Sequence, residues 1–581
     1  IAWNKGRHSM AFGGEHTHSA INHFQPQGSN VATPRGGFQF TGGLTTIGGV
    51  TPTIFNQLAD FLLGLPQTYG KATQSLNPNA VRWSTFAFYA QDQWLATPKL
   101  TLTAGARYEY YPFATRDHLG VFRFDPSLGK TNNVVIGGRG GNPNDTGEQI
   151  GWGMIVPRLG VAYRVSDQTV VRAGFGMTVD PDNFRRFRET YGAVTNINLG
   201  GANSYTPADC LQTADGANSI TGCGAVGNST VGIPPVTQPD YTTGFLTLPT
   251  SASTETVPKN YRRGYIESWN LAVQQDLPAH FNMNLTYVGT HAVRADTSLN
   301  INAAPPGGGN AGRLLANVTG SQVDITSNAP FRSANYHGLQ SQLTRRVGHG
   351  VNTGFIYTWS HAINYNDNST YSGLLFAYPT YWDRNKGTAG FDRTNNLQWW
   401  TVAQSPFGKN GAWMTTGFGS KVLGGWELNT ALSKLSGLPF TVTDAGTVLN
   451  APGNTQVADL VKSSVTIRHT ARSSTNNLTG QPTYFDTTAF ASVTGAARFG
   501  TSSRNMVRGP GYFNLDASIV REFGIWENLK LQFRAEAFNV TNTPAFANPN
   551  ANVSGANFGY VTALAANSGG RSINLAGRIT F

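Results

Sequence analysis

Charge is scarce in this sequence. Asp, Glu, Lys and Arg make up 13% of its 581 residues, about half the share of an ordinary soluble domain. Long apolar runs are missing too. Nothing approaches the roughly 18 residues that a membrane helix needs, and "FLLGLP" is the longest local candidate. Helical spans are thereby excluded, whereas closed strand barrels, which also cross membranes, are not. Only two cysteines occur, Cys210 and Cys223, within "ADCLQTADGANSITGCGAVG". No metal-ligating partners lie beside them. An even pair at close spacing points to a disulfide made in an oxidising compartment, contributing about 3 kcal/mol by loop entropy; two free thiols are the alternative. There is no G-x-S-x-G, HExxH, P-loop or CxxC, so no nucleophile–base set and no cofactor cradle is legible. The expectation is a protein that is not an enzyme and carries no cofactor. The sequence opens on Ile1 without a leader peptide, which reads as a start in mid-protein.

What is present is glycine, 68 residues of it, with 11% aromatics and only 39% hydrophobic residues overall. A chain of this size that is poor in both charge and core residues suits a structure with one apolar face and one wet, uncharged face. The formal net charge is +11. Lys and Arg are scattered rather than clustered, which argues against nucleic acid. The balance fits solvated loops and lumen, with an anionic outer leaflet or anionic ligands as more specific partners.

The recurring unit is an alternating run, a tight turn and a second alternating run. In "TFAFYAQDQWLATPKLTLTAGARYEYYP", Phe86, Phe88, Ala90 and Trp94 share a face before the turn; Leu100, Leu102, Ala104, Ala106, Tyr108 and Tyr110 share one after it. The unit recurs in "PRLGVAYRVSDQTVVRAGFGMTVD", "ESWNLAVQQDLPAHFNMNLTYVG", "NYHGLQSQLTRRVGHGVNTGFIYTWSHA" and "GYFNLDASIVREFGIWENLKLQFRAEAFNVTN". Period-two alternation over about ten residues is the signature of outer-membrane strands. Long polar segments, rich in Gly, Asn, Ser, Thr and Pro, separate the hairpins at about 126–156, 180–260, 303–333, 364–391, 445–510 and 545–570. In an outer-membrane barrel short turns face the periplasm and long loops face outside. The expected fold is therefore an all-β antiparallel transmembrane barrel spanning residues 1–581 without an internal domain boundary, in the outer membrane of a Gram-negative-type bacterium. Trp94, Tyr108, Tyr110, Trp359 and Trp426 sit at strand ends and are candidates for the interfacial aromatic girdles; aromatic core packing is the alternative. The terminal "SINLAGRITF" keeps alternating to its last residue, with Ile573, Leu575, Gly577, Ile579 and Phe581 on one face. This strand is expected to close the barrel seam, leaving no free edge, and to serve as the C-terminal insertion signal read by the barrel-assembly machinery.

The ordered series "FYAQDQWLATPKLTLTAGARYEYYP", "VPRLGVAYRVSDQTVVRAGFG", "ESWNLAVQQDLP", "ANYHGLQSQLTRRVGHGVNTGFIYTWSHAIN", "FDRTNNLQWW", "LGGWELNTALSKLSGLPFTVT", "RNMVRGPGYFNLDASIVREF", "LQFRAEAFNVTNTPAF" and "GRITF" resembles the C-terminal barrel of TonB-dependent outer-membrane receptors, in particular the Oar-like group, from about residue 50 to the end. The resemblance implies an active transporter of a large or scarce substrate: long loops capture ligand, and a TonB complex in the inner membrane drives displacement of an N-terminal plug. The sequence departs from that pattern. It shows no plug, no TonB box and no N-terminal regulatory-like domain, and about 16–17 strands are countable where plugged transporters have about 22. The expectation is an N-terminally truncated barrel whose TonB contact lies in the missing segment. A passive porin-like channel and a surface-binding or adhesin barrel are the alternatives. The resemblance carries over no ligand-binding residue, and the substrate is unassigned.

Three further stretches carry weak signals. "GGEHTHSAINH" places His16 and His18 on one strand face; two imidazoles there could hold Zn or Cu, but a third ligand is wanting and polar lumen or loop residues are the plainer reading. "NYNDNSTY" is oxygen-rich but lacks calcium-loop spacing. "DNFRRFRE" and "IFNQLADFLLGLP" read as short helices, the second apolar enough to pack on the barrel wall or in the lumen.

Overall fold

In the computed structural model the described residues are 1–24, 31, 33–46, 52–151, 153–180, 190–200, 207–208, 211, 239–346, 350–367, 373–409, 411–446, 448–468, 482–526, 529–566 and 568–581. Fifteen strands follow one another in a single antiparallel ladder. They are β1 (Ala2–Lys5), β2 (His8–His23), β3 (Asn79–Thr97), β4 (Leu100–Tyr110), β5 (Met154–Arg164), β6 (Thr169–Val179), β7 (Tyr265–Leu277), β8 (Phe281–Val293), β9 (Ala334–Arg345), β10 (Val351–Asn364), β11 (Asn395–Gln404), β12 (Trp426–Leu435), β13 (Tyr512–Trp526), β14 (Leu529–Phe538) and β15 (Ser572–Thr580). The two-residue strands Thr115–Arg116 and Gly387–Thr388 extend the sheet beyond β3 and β10, making 17 strands in all. This agrees with the expected strand count. No helix among the described residues is long and apolar enough to cross a membrane.

Each strand pairs with its sequence neighbour, and the register keeps one chemistry on one face. Ala90 lies opposite Ala106, which lies opposite Pro157; Leu102 opposite Val161, then Ala173, then Leu271, then Tyr287, then Leu339, then Trp359. On the other face Thr103, Gly160, Gly174, Asn270, Val288, Gly338 and Ser360 form the parallel row. Because the side-chain period is two, a slip of one residue would reverse the faces of a whole strand. The bulky faces also interlock: the Trp269 ring lies across Gly289 on the next strand, in space that a Cβ there would enter.

Connections alternate in length, with one exception among the short ones. Short links join β1–β2, β3–β4, β5–β6, β7–β8, β9–β10 and β13–β14. Pro98 and Lys99 make the β3–β4 turn, and the β7–β8 turn sets Ala279 and His280 at φ 60° and 62°, the left-handed pair that suits strand twist. The β11–β12 link, residues 405–425, is longer than these and carries the helix Gly417–Leu423. Long links of 24–78, 111–153, 180–264, 294–333, 365–394, 436–511 and 539–571 gather at the other end.

These long links are not structureless. Three of them build a six-stranded sheet in the order Asp296–Asn300, Ile325–Pro330, Ala252–Thr256, Val194–Gly200, Thr68–Gln74, Gly37–Gln39. A three-stranded sheet joins Phe122–Phe124, Val134–Ile136 and Phe245–Leu246. The fully buried apolar side chains lie mostly here: Phe122 and Phe124 pack with Ile136, Leu246 and Ile325, and Phe485 packs with Phe440, Phe490 and Val561. The long links thus form a folded canopy with its own cores.

Among the described residues β15 pairs with β14, and Phe581 is exposed. One expectation is corrected. The helix in "IFNQLADFLLGLP" forms as α1 (Ile54–Leu62) with a Thr53–Asn56 capping box, but it does not bury its apolar side. Ile54, Phe55, Leu58, Phe61 and Leu62 are exposed, whereas Asp60 is buried and accepts a 2.8 Å hydrogen bond from Thr45 Oγ1. Its polar edge holds it to the canopy.

Candidate functional site: inner wall and loop canopy

The polar face of the sheet is built from residues that make short, sparse ion pairs and amide bonds. Arg172 Nη1 donates to Gln274 Oε1 at 2.6 Å, Lys530 pairs with Glu522 at 2.8 Å and Arg534 with Glu536 at 3.3 Å. The densest group spans β2 and β4, where Arg107 donates to Glu15 at 2.9 Å and to Glu109 at 2.7 Å. Arg107 and Glu109 are two apart on one strand, so alternation puts them on the same face. A cleft of about 410 Å³ opens there, lined by Glu15, Tyr89, Gln91, Arg107, Glu109 and Arg158.

Two further clefts adjoin it at the canopy end. One of about 290 Å³ shares Glu109 and adds Tyr110, Tyr111, Arg262, Arg263 and Arg294. One of about 950 Å³ shares Tyr110 and Arg262 and runs between the 111–153 and 260–262 segments. Burial pushes the Tyr111 hydroxyl up from the ordinary phenol value, helped by the Glu109 carboxylate.

Arginines fasten the canopy to the strand ends. Arg504 Nη1 donates to Asn364 Oδ1 at 2.8 Å and to the carbonyls of Asn364 and Asn385 at 3.1 and 3.2 Å, while Nη2 meets Asp367 at 2.6 Å. Arg508 pairs with Asp392, and Arg263 Nε donates to the Tyr111 carbonyl at 2.9 Å. Arg384 lies over the Phe376 ring at 4.3 Å. Burial pulls the Arg116 guanidinium down to about 10, and it sits over Phe122 at 4.2 Å. Burial pushes the Asp367 carboxyl up, but Arg504 and the Gly390 N–H outweigh it and leave the group below the usual carboxylate range. Sequence reading passed over these residues. The signal was present, since Asp392 lies in "FDRTNNLQWW" and Arg504 and Arg508 in "RNMVRGPG", yet nothing in either segment shows that the two meet. The oxygen-rich "NYNDNSTY" is explained the same way: its Asp367 serves Arg504, Gly390 N and Asn364.

The expected site residues fall as follows. His16 and His18 do share a face, but it is the apolar one: His16 stacks on Phe86 at 4.7 Å, and His18 Nδ1 lies 3.0 Å from Ser84 Oγ. They are therefore not lumen residues, and among the described residues no group of three potential metal ligands occurs. Trp94 and Trp426 lie at the short-turn ends of β3 and β12; Tyr108, Tyr110 and Trp359 lie toward the canopy ends of β4 and β10, all on the apolar face. Ile573, Leu575, Gly577 and Ile579 stand opposite Ala537, Ala535, Phe533 and Leu531 on that same face. Cys210, Cys223 and "DNFRRFRE" lie outside the described residues.

The family match agrees with this geometry. The model of the outer membrane beta barrel domain family matches residues 1–574. Among curated proteins none matches. Solved structures similar to the chain include the outer membrane transporter YddB from Escherichia coli, at 9% identity and TM-score 0.45, covering 100% of this chain and 53% of that one. The siderophore receptor PiuA from Acinetobacter baumannii is similar at 9% identity and TM-score 0.41, with 100% and 54% covered. A mutant of the ferric enterobactin receptor PfeA from Pseudomonas aeruginosa, in complex with enterobactin, is similar at 11% identity and TM-score 0.44, with 100% and 53% covered. The chain thus spans about half the length of these proteins. With an alternating ladder, one apolar face, one polar face and a family match over nearly its whole length, the chain belongs to the outer membrane β-barrel domain family and resides in the outer membrane.

Proposed function

We propose that this chain is the barrel of a TonB-dependent transporter of the Oar-like group, a transporter rather than an enzyme. The observation that carries the reading is the folded canopy. A passive pore needs an unobstructed mouth, whereas a capture device needs loops held in shape, and here the long links share a six-stranded sheet and buried cores above a polar wall. In this reading the canopy faces outside and captures ligand, and the polar wall lines the passage. A plug and TonB box contributed by a segment outside this sequence couple release to the inner membrane, with the barrel as part of a 22-stranded whole. Trp94, Tyr108, Tyr110, Trp359 and Trp426 form the girdles against outer-membrane lipid and lipopolysaccharide. Ile573, Leu575, Gly577, Ile579 and Phe581 form the signal for the barrel-assembly machinery, and Cys210 and Cys223 pair as a disulfide.

The test is uptake by cells expressing the whole gene with and without its TonB box. Loss of uptake on deletion supports the transporter; uptake that survives points to a passive channel.

A further inference from the structure

We propose that the inner wall across β3–β6 holds a binding recess for a solute carrying a carboxylate or phosphate together with a hydroxyl or amine, with Arg158 as the anchor of the oxyanion. The idea rests on the lumen being the substrate path, but binding is measurable without transport.

The register makes the recess. Arg158 on β5 stands opposite Gly105 on β4 and Gly176 on β6. The next polar-face position on β5 is Gly160, opposite Gly174. Arg158 therefore rises from a floor that is bare backbone at Gly105, Gly160 and Gly176, with Val156 preceding it on the same face. Tyr89 and Gln91 form the flank on β3, opposite Arg107 and Gly105, and these residues line the 410 Å³ cleft together with Arg158.

Charge makes the specificity. Arg107 is answered by two carboxylates, Glu15 and Glu109. Arg158 is exposed and makes no hydrogen bond or ion pair among the described residues. Its planar fork matches a carboxylate or phosphate with two parallel N–H bonds. The wall also offers a complementary acceptor. Glu109 is only 7% exposed; its Oε1 takes Arg107, but Oε2, which is buried, has no hydrogen-bond partner among the described residues. A buried acceptor left open is costly; Glu109 lines the same cleft four positions along β4 from Gly105, and a hydroxyl or amine of a solute reaching along the cleft from Arg158 would fill it.

The experiment is titration calorimetry on the refolded chain in detergent, with glucuronate, glucose 6-phosphate and neutral glucose as probes. Wild type is expected to bind at least one of the two acids about tenfold or more above glucose, and which acid binds tells carboxylate from phosphate. Arg158→Gln is expected to reduce that acid to the level of glucose. Gly176→Val is expected to do the same by filling the floor, where a Cβ meets only Arg158 Cγ at 3.8 Å and the Pro157 carbonyl at 3.9 Å and the strand is left unstrained; an unheated-gel shift confirms that both variants fold. Arg534→Gln, on the wall near Glu536, is expected to leave binding unchanged. Equal binding of acids and glucose, no binding of either acid, or full binding by the folded Arg158→Gln or Gly176→Val variant overturns the recess. Acid binding combined with TonB-independent uptake would contradict the transporter reading and leave the recess standing.

Discussion

The wall and the canopy are made by one chain, yet they bury opposite things. On the wall the large apolar side chains point out: Leu159 is 54% exposed and Trp359 58%. In the canopy they point in: Phe122 is 1% exposed and Phe485 0%. The wall's polar groups line the interior, and the canopy's arginines are drawn inward only where carbonyls, carboxylates or rings receive them. Each region obeys the solvent it meets. Hydrocarbon around the strands asks for an apolar exterior and a backbone satisfied within the sheet, whereas water around the loops drives apolar burial in the ordinary way.

That contrast is breakable. The largest effect is expected in the canopy core. Phe485 is packed edge-on against Phe490 and Phe558 at 5.9 and 5.4 Å. Phe485→Ala should cost the canopy about 3–5 kcal/mol. Limited proteolysis should then cut segment 436–511 rapidly while the unheated-gel shift of the barrel persists. If barrel and canopy fail together, they are one cooperative unit and the comparison collapses.

A somewhat smaller and more local effect is expected from Arg504→Ala, which strips Asp367 of its cation and the Asn364 and Asn385 carbonyls of a donor. Breaking such a partly buried pair costs about 3 kcal/mol. Hydrogen exchange should quicken in 365–394 and remain slow in β11. Uniform quickening across both would show that the arginine supports the wall rather than the canopy.

The smallest effect is a pH dependence confined to the canopy. Lys462 at 2.7 Å, with Thr488, holds the Asp486 carboxyl at about 2, and Arg498 holds Asp459 below the usual range. A carboxylate whose folded value is depressed stabilises above its unfolded value and loses that contribution as pH falls toward the folded one. Canopy resistance to proteolysis should therefore be flat down to about pH 4 and decline from there toward about pH 2. Lys462→Ala should flatten the decline. A decline that begins near neutral pH would contradict it.

Much of the wall was legible. Strands of about ten residues carry enough alternation to reveal their faces, and the short-long rhythm of the links fixed which end is which. The canopy was not legible, for a physical reason. Its strands are as short as Phe122–Phe124 and Val134–Ile136, too brief for a period to emerge, and its cores are assembled from links distant in sequence. The first long link, 24–78, was visible only through α1, whose apolar stripe suggested burial; the buried Asp60 shows that a stripe alone does not say which side packs. His16 and His18 misled in the same way, since their polarity suggested the lumen while their register with Phe86 and Ser84 places them on the apolar face. In the site, Arg107 and Glu109 were legible as polar-face residues of β4, but their clamp with Glu15 joins strands more than 80 positions apart, as the 92-residue separation of that bond shows.

The most direct test of the central claim, that one face of the sheet meets lipid and the other a wet lumen, uses two adjacent residues. Leu285 lies on the apolar face opposite Val273 and Ser341, and Thr286 on the polar face opposite Ala272 and Gln340. Unfolding of Leu285→Arg and Thr286→Arg in lipid vesicles should differ. Leu285→Arg is expected to lose about 2–4 kcal/mol, and Thr286→Arg to stay within about 0.5 kcal/mol of wild type. Equal losses, or the reverse order, would contradict the account.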